Sequence, residues 1–390
     1  FFPFTPAMSQ YFNEDKLNED KSKKLIVACS NAQRDIVEKL IAANPNIRNT
    51  INDKNNMGET ALHATATGGD HYIVQCLLDN GADPKISDRQ GRTPLMRAAL
   101  LDNLDAVQVF VAHDESNVLD AGSTGQTPLH CACLIAKVEL IDQFLELDEE
   151  GKTLTMRDNE GNTPFLACAQ PPVKIEPFEH LLEAGADPNE ENNLGENVLL
   201  ISARNGANKA IKFLLEKGTK FKADKKGNTP LHEVALRKNS EAVKIFLDVD
   251  GVNLSQKNDE GDTPLACACA GGDIDICKLL IQKGGDVNQN CIHAAVKFNR
   301  PAVVRLLASH KVDMNRKNEK GMTPLIIAVD ENEPDMVQLL LEGGAKLDIK
   351  YENPELSKKP IDAIQWSKLR NHRECTKILE KAKKDGCVIC

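Results

Sequence analysis

Apolar residues along this chain come in short clusters at helical spacing, and each cluster is closed by a glycine or a polar turn. Ile73, Val74, Leu77 and Leu78 fall at i, i+1, i+4 and i+5, one face of a short helix. Leu95, Ala98 and Ala99 form a second kind of face, narrow and built on small residues, suited to close stacking. Gly81 stops the first of these helices, and Ala82-Asp83-Pro84 opens the next turn. The pattern predicts pairs of short antiparallel helices joined by glycine-bearing turns. One such pair cannot bury both of its apolar faces, so neighbours must stack into a continuous core.

The cluster pair repeats. Gly-x-Thr-Pro-Leu recurs from Gly91, Gly125, Gly227, Gly261 and Gly321, with weaker copies from Gly58, Gly161 and Gly195. Degenerate copies fit at Lys23-Lys24-Leu25-Ile26, Asn290-Cys291-Ile292-His293 and Lys359-Pro360-Ile361-Asp362. The Thr-equivalent positions then run in ten intervals from residue 23 to residue 359, a mean of about 34 residues. Each part has a physical reason. The glycine supplies positive φ at the end of a tight turn, the threonine caps the next helix, and proline in the first turn costs no hydrogen bond. Motif and period together resemble the ankyrin repeat over nearly all of residues 20–385. The resemblance implies an all-α ankyrin-repeat solenoid of about eleven helix-turn-helix units with β-turn fingers. The implied layout is an N-terminal tail at 1–20, repeats at 21–384 and a C-terminal tail at 385–390.

Departures from the period mark places of interest. From Thr263 to Asn290 the interval falls to 27 residues, so a finger is missing and the surface there should be notched or its curvature changed. Pro171, Pro172 and Pro177 must shorten the first helix of the fifth unit and disturb the surface around 170–178. Tyr351 to Lys359 lengthens one connection. Residues 9–24 and a last helix over roughly 371–384 are strongly polar, as the ends of a solenoid must be.

Composition narrows the function. The chain has 390 residues, 41% hydrophobic, with aromatics at 4% and one Trp, so its core must be aliphatic. A net charge of −10 argues against a binder of nucleic-acid backbones. No apolar run is long enough for a membrane helix, and mean hydropathy is −0.37. Phe1 to Ala7 lacks a basic n-region and is a poor signal peptide. Either Met8 is the natural start or residues 1–7 are a genuine apolar tail. Twelve cysteines, mostly inside the periodic segments, read as buried reduced thiols of a cytoplasmic protein.

Candidate chemistry mostly dissolves into the repeat. His63, His130, His232 and His293 share one repeat position without a partner acid or nucleophile at a fixed offset. In ankyrin-like units this imidazole bridges neighbouring turns. Cys131 and Cys133, and Cys267 and Cys269, take Leu and Ala positions of the motif and lack zinc-ligand spacing. No nucleotide loop, nucleophile elbow or zinc-protease motif is present, so neither an enzyme nor a cofactor is expected.

The family's architecture turns the positions beside the turn glycine, and the two after the Ala pair, toward the concave side. In the third and fourth units the latter are Leu100-Leu101 and Leu134-Ile135, aliphatic where polar residues are usual. With Arg89, Gln90, Arg92 and Arg97 around them they form a candidate protein-binding patch, unless helix rotation buries some of them. Arg204, Leu236, Arg237 and Phe298 occupy the same slots elsewhere and offer a second zone or an ordinary solvated face.

Cys387-Val388-Ile389-Cys390 fits the prenylation pattern, a cysteine followed by two aliphatics and a last residue. Cys at the last position leaves farnesyl or geranylgeranyl open. A C-x-x-C redox pair would lack the helix N-terminus and surrounding fold that tune one. One prenyl chain holds a membrane marginally. The expected whole is therefore a monomeric, non-enzymatic scaffold for protein partners, a prenyltransferase substrate at Cys387, cytoplasmic with weak reversible membrane association. The combination is similar to lipid-anchored effectors that intracellular bacteria deliver to host cells. A soluble inhibitor that blocks an enzyme with its concave face is the competing reading.

Overall fold

The computed structural model describes residues 21–68, 70–288, 290–352, 360–384 and 386. Two compact units divide the chain, residues 1–198 and residues 199–390. Each is a stack of helix pairs, and the chain as a whole is an all-α repeat solenoid.

In the first unit the described helices begin with residues 21–30 and Arg34–Ala42. The pairs Ala61–Gly68 with His71–Asp79, Pro94–Leu100 with Leu104–His113, and Pro128–Leu134 with Val138–Glu146 follow. Thr93 and Thr127 sit in extended conformation and accept a hydrogen bond from the backbone N–H of Met96 and His130, with proline next in line. The face Ile73, Val74, Leu77, Leu78 is buried as the spacing predicts, as are Leu62, Leu95 and Val107. At about 1.5–3 kcal/mol for each large aliphatic side chain buried, this shared core outweighs the weak intrinsic stability of helices under ten residues.

The fifth repeat is the irregular one. Its first helix, Pro164–Ala167, gives way after four residues to turns. Pro171, which has no N–H and bars Gln170 from helical geometry, keeps the helix from resuming. Here the expected threonine cap fails: Thr163 makes no side-chain cap bond, and its buried hydroxyl has no partner among the described residues. Pro177 lies in the first turn of Glu176–Glu183, where it is harmless, and Phe165 meets Phe178 edge to face at 5.3 Å.

The second unit opens with the helices Val198–Arg204, whose first residue falls in the first unit, and Asn208–Glu216. The pairs Pro230–Leu236 with Ser240–Leu247, Pro264–Gly271 with Ile274–Gln282, and Cys291–Lys297 with Pro301–Ser309 follow. Pro324–Asp330 with Pro334–Glu342 and Ala363–Leu369 with Arg373–Lys384 complete it. The last helix buries Cys375 and Leu379 and leaves its lysines outside, as a terminal repeat should.

The register of the last repeat differs from the expected one. Asp362, not residue 359, caps its first helix, accepting from the Gln365 N–H at 2.8 Å. Ile361 instead pairs with Tyr351 through two backbone bonds of 2.8 and 3.0 Å. The long connection ends in that bridge, and its residues 353–359 lie outside the described residues.

Candidate partner-binding surface

The surface available for partners is what the stacked helices and turns leave over, so it is built from the fingers outward. At most fingers an Asp or Asn folds the turn by accepting backbone N–H groups; in the fourth, Gly122 takes that place. Asp88 takes those of Gln90 and Arg92 at 2.8 and 3.0 Å, and Asn258 takes those of Glu260 and Asp262 at 3.1 and 2.9 Å. Gly91 and Gly227 close their turns at φ of 80° and 78°.

Successive fingers are laced together through the backbone. The N–H two residues before a turn glycine donates to the carbonyl just before the preceding one. In the first unit Arg89 donates to Met57, Asn159 to Thr124 and Asn193 to Glu160, at 3.0, 2.9 and 2.9 Å. Between the third and fourth fingers close contact replaces that bond. Any side chain at Gly122 would overlap the Gly91 carbonyl.

Histidine is the second lace. The Thr127 backbone N–H donates to His130 Nδ1 at 3.1 Å, which leaves Nε2–H to donate to the Asn162 carbonyl of the next finger at 3.0 Å. His63 spans Thr60 and Arg92, and His232 spans Thr229 and Asp262, in the same way. Burial lowers the pKa of all three, so they remain neutral bridges. His293 keeps only the second bond, 2.8 Å to the Arg316 carbonyl. Asn290 stands where threonine would, and its amide is turned to Asp262.

The cysteine positions are likewise internal. Cys131, Cys133, Cys267 and Cys269 are buried. Burial pushes the Cys131 thiol up to about 12 and raises Cys267 further, so neither is a thiolate at neutral pH. Among the described residues no group of three or more His, Cys, Asp or Glu is placed to hold a metal ion. No described helix is long and apolar enough to cross a membrane.

The candidate patch of the first unit is smaller than the sequence suggests. Leu101 is 52% exposed, whereas Leu100, Leu134 and Ile135 are half-buried between the packed helices Pro94–Leu100 and Pro128–Leu134. Of the surrounding polar residues, Arg89 and Gln90 are exposed. Arg92 grips Asp88 through Nε and Nη2 at 2.9 and 2.6 Å, and Arg97 is ion-paired with Glu59. Two of the three guanidiniums are thus committed within the repeat. The sequence reading missed Leu104, exposed one turn from Leu101, and the finger-tip residues Met57 and Leu194, also exposed. The signal for Met57 and Leu194 was available: an apolar residue directly before a turn glycine cannot be buried there.

In the second unit Glu233 lies between Arg204 at 3.6 Å and Arg237 at 3.2 Å, with Leu236 exposed beside them. Phe298 is exposed, with Lys297 Nζ 5.3 Å from its ring centre. Cys387 lies outside the described residues.

Helix pairs, glycine-closed fingers and bridging histidines define a repeat protein of the ankyrin class. Comparison with known proteins agrees. The profile for ankyrin repeats in three copies matches residues 25–120, 165–258, 199–291, 231–318 and 285–351, and the single ankyrin repeat matches 124–151. The chain belongs to the ankyrin-repeat family. Human Rabankyrin-5 is 27% identical over 305 residues, covering 74% of this chain and 24% of that protein. The E3 ubiquitin-protein ligase KEG of Arabidopsis thaliana is 24% identical, covering 86% of this chain and 20% of the ligase. The transient receptor potential cation channel subfamily A member 1 homolog of Caenorhabditis elegans is 27% identical, covering 56% of this chain and 18% of the channel. The chain thus spans about a fifth to a quarter of these relatives, and the similarity supports the repeat array.

Proposed function

We propose that the chain is a non-enzymatic scaffold that holds protein partners on the variable positions of its repeats. Leu101 is the observation that carries this. A large aliphatic side chain stands more than half exposed between two packed helix pairs, with Leu104 beside it and half-buried Leu100, Leu134 and Ile135 beneath. An apolar centre with a polar rim is how transient partners are held. The test is affinity capture with the wild type and with Leu101→Asp plus Ile135→Asp, at matched thermal stability. Loss of the captured proteins supports the assignment, and undiminished capture moves the site elsewhere.

Attachment to a membrane through a prenylated Cys387 is the second part of the proposal, and it rests on the sequence pattern where Cys390 is the natural end. Lys377, Lys381, Lys383 and Lys384 would add an electrostatic contribution of about 1 kcal/mol each near an anionic surface, offset by Glu380 and Asp385. The full-length protein and its Cys387→Ser variant, produced in eukaryotic cells with and without a prenyltransferase inhibitor, should partition differently into the membrane fraction. Equal soluble fractions would replace the tether with the soluble-regulator reading.

A further inference from the structure

The short interval before Asn290 leaves the ninth repeat without a finger, and the space it would fill is a cleft of about 730 Å³. That is within the range of roughly 300–1,000 Å³ usual for binding sites. Its walls are the eighth and tenth fingers, residues 257–262 and 316–322, and its floor is the helix Cys291–Lys297 with Phe298. Cleft and walls lie wholly within the second unit.

The backbone shows what the cleft is short of. Asp259 N–H donates to the Lys226 carbonyl at 2.8 Å, so the seventh and eighth fingers are laced. The next groups in line are the Glu260 carbonyl and, across the gap, the Glu319 N–H. Neither has a partner among the described residues. His293, 4% exposed, lines the same cleft, and its Nδ1 is unpartnered among them. At Gly227 the neighbouring atoms are backbone of the adjacent finger. At Gly261 they are the Glu319 carboxylate, whose Oε1 would lie 2.9 Å from a Cβ placed there. The carboxylate therefore reaches across space that a finger's main chain occupies elsewhere.

Charge indicates what would satisfy the cleft. Glu319 comes up beside Glu260 and Asp262. Burial first, with Glu260 and Glu319 adding to it, pushes the Asp262 carboxyl up against the opposing bond from Asn290 and the opposing charge of Lys297. Several cations of the lining are turned to other tasks. Arg316 donates to the Asn288 carbonyl at 2.6 Å, Lys317 to that of Lys350 at 2.8 Å, and Lys297 covers Phe298. Lys257 and Lys320 stand on opposite walls, without an ion pair among the described residues.

We propose that this cleft docks a β-turn of a partner protein, with Lys or Arg at its tip, in the place of the missing finger. The site rests on the scaffold reading and gives it a second, chemically defined contact. The turn's N–H donates to the Glu260 carbonyl, its carbonyl accepts from the Glu319 N–H, and its basic side chain meets Glu260, Asp262 and Glu319. Phe298, 48% exposed, packs on the aliphatic part of that side chain. A volume of this size suits a turn of about four residues rather than a lone cation.

The probe is a labelled turn peptide with the chain's own seventh-finger sequence, residues 222–229, Lys-Ala-Asp-Lys-Lys-Gly-Asn-Thr, which has two lysines at its tip. Its counterpart has both tip lysines changed to Glu. Titration of the full chain, followed by fluorescence anisotropy, should give saturable binding of the basic peptide and at least about ten-fold weaker binding of the acidic one. Glu260→Lys and Glu319→Lys are exposed changes that leave the thermal melt unaltered, and each should weaken the basic peptide about ten-fold. Equal binding of the two peptides, unaffected binding in both variants, or competition by spermidine as effective as unlabelled peptide overturns the proposal. Partner capture lost in the Leu101→Asp, Ile135→Asp variant together with no peptide binding would retain the scaffold and remove the cleft. Peptide binding in a chain that captures nothing through Leu101 would retain the cleft and remove the patch.

Discussion

The first unit carries a row of fingers laced almost without interruption, and the second carries the same row with one member missing. In the first, Arg89, Asn159 and Asn193 each reach back to the finger before, and His63 and His130 each hold two bonds. In the second, the lace runs to Asp259 and stops, and His293 holds one bond instead of two. Yet the helices beneath continue. Cys291, Ile292, Ala294, Ala295 and Val296 are as buried as their counterparts in complete repeats. Helices and fingers are therefore separable. Apolar burial holds the stack, the backbone lace holds the fingers, and losing a finger opens a cleft without breaking the core.

The sharpest test of that separation compares the histidines. His130→Ala strands the Thr127 N–H in a buried place and removes one of the two bonds to the Asn162 carbonyl, which keeps that of the Asp158 N–H at 2.9 Å. It should cost about 2–4 kcal/mol in urea unfolding. His293→Ala strands the Arg316 carbonyl alone and should cost about half as much. Equal losses would mean that the missing finger does not weaken its repeat.

The pH dependence comes next in size. His63, His130, His232 and His293 all have lowered pKa values, burial being the largest cause. Unfolded histidine titrates near 6.5, so below that pH the unfolded chain binds protons that the folded chain refuses. Their contribution is complete above about pH 7 and declines as pH falls from 6.5 toward the lowered folded values. Each histidine adds a slope of at most about 1.4 kcal/mol per pH unit. His130→Gln should remove one share of that slope; an unchanged slope would show that the ring is charged in the fold.

A smaller effect separates motif from geometry. Asn290→Thr completes the sequence motif, yet Asn290 has φ of 62°, where a β-branched residue is strained. The substitution should lower the urea midpoint by the equivalent of about 1–2 kcal/mol, and a gain in stability would refute the assigned backbone. Smallest of all, Leu101→Asp should move stability by under about 0.5 kcal/mol while removing partner capture. A large loss of stability would place Leu101 in the core instead of the contact surface.

Most of the fold was legible because the repeat writes each requirement several times. Gly91, Thr93, Pro94 and His130 have equivalents in other units, and the structure uses them for the same turn, cap and bridge. Legibility failed where a residue had no equivalent to be compared with. Thr163 looks like any capping threonine, but the shortened helix leaves its hydroxyl without a partner among the described residues. The last repeat slipped to Asp362 because a carboxylate caps as well as a hydroxyl and no glycine fixed the register. The interval before Asn290 announced a notch. Its walls and charges were not legible, since Glu260 and Glu319 are far apart in sequence and meet only when the intervening finger is gone. Likewise, the half-burial of Leu134 and Ile135 follows from helix rotation, which periodicity does not specify.

Amide hydrogen exchange read at single residues tests the separation of fingers from helices most directly. The Arg89, Asn159, Asn193 and Asp259 amides, each bonded to the preceding finger, should exchange slowly. The Glu319 amide should exchange quickly and slow down when the basic turn peptide is added. Glu319 protection equal to that of Asp259 in the unliganded protein would contradict the account, because the cleft would then already be closed.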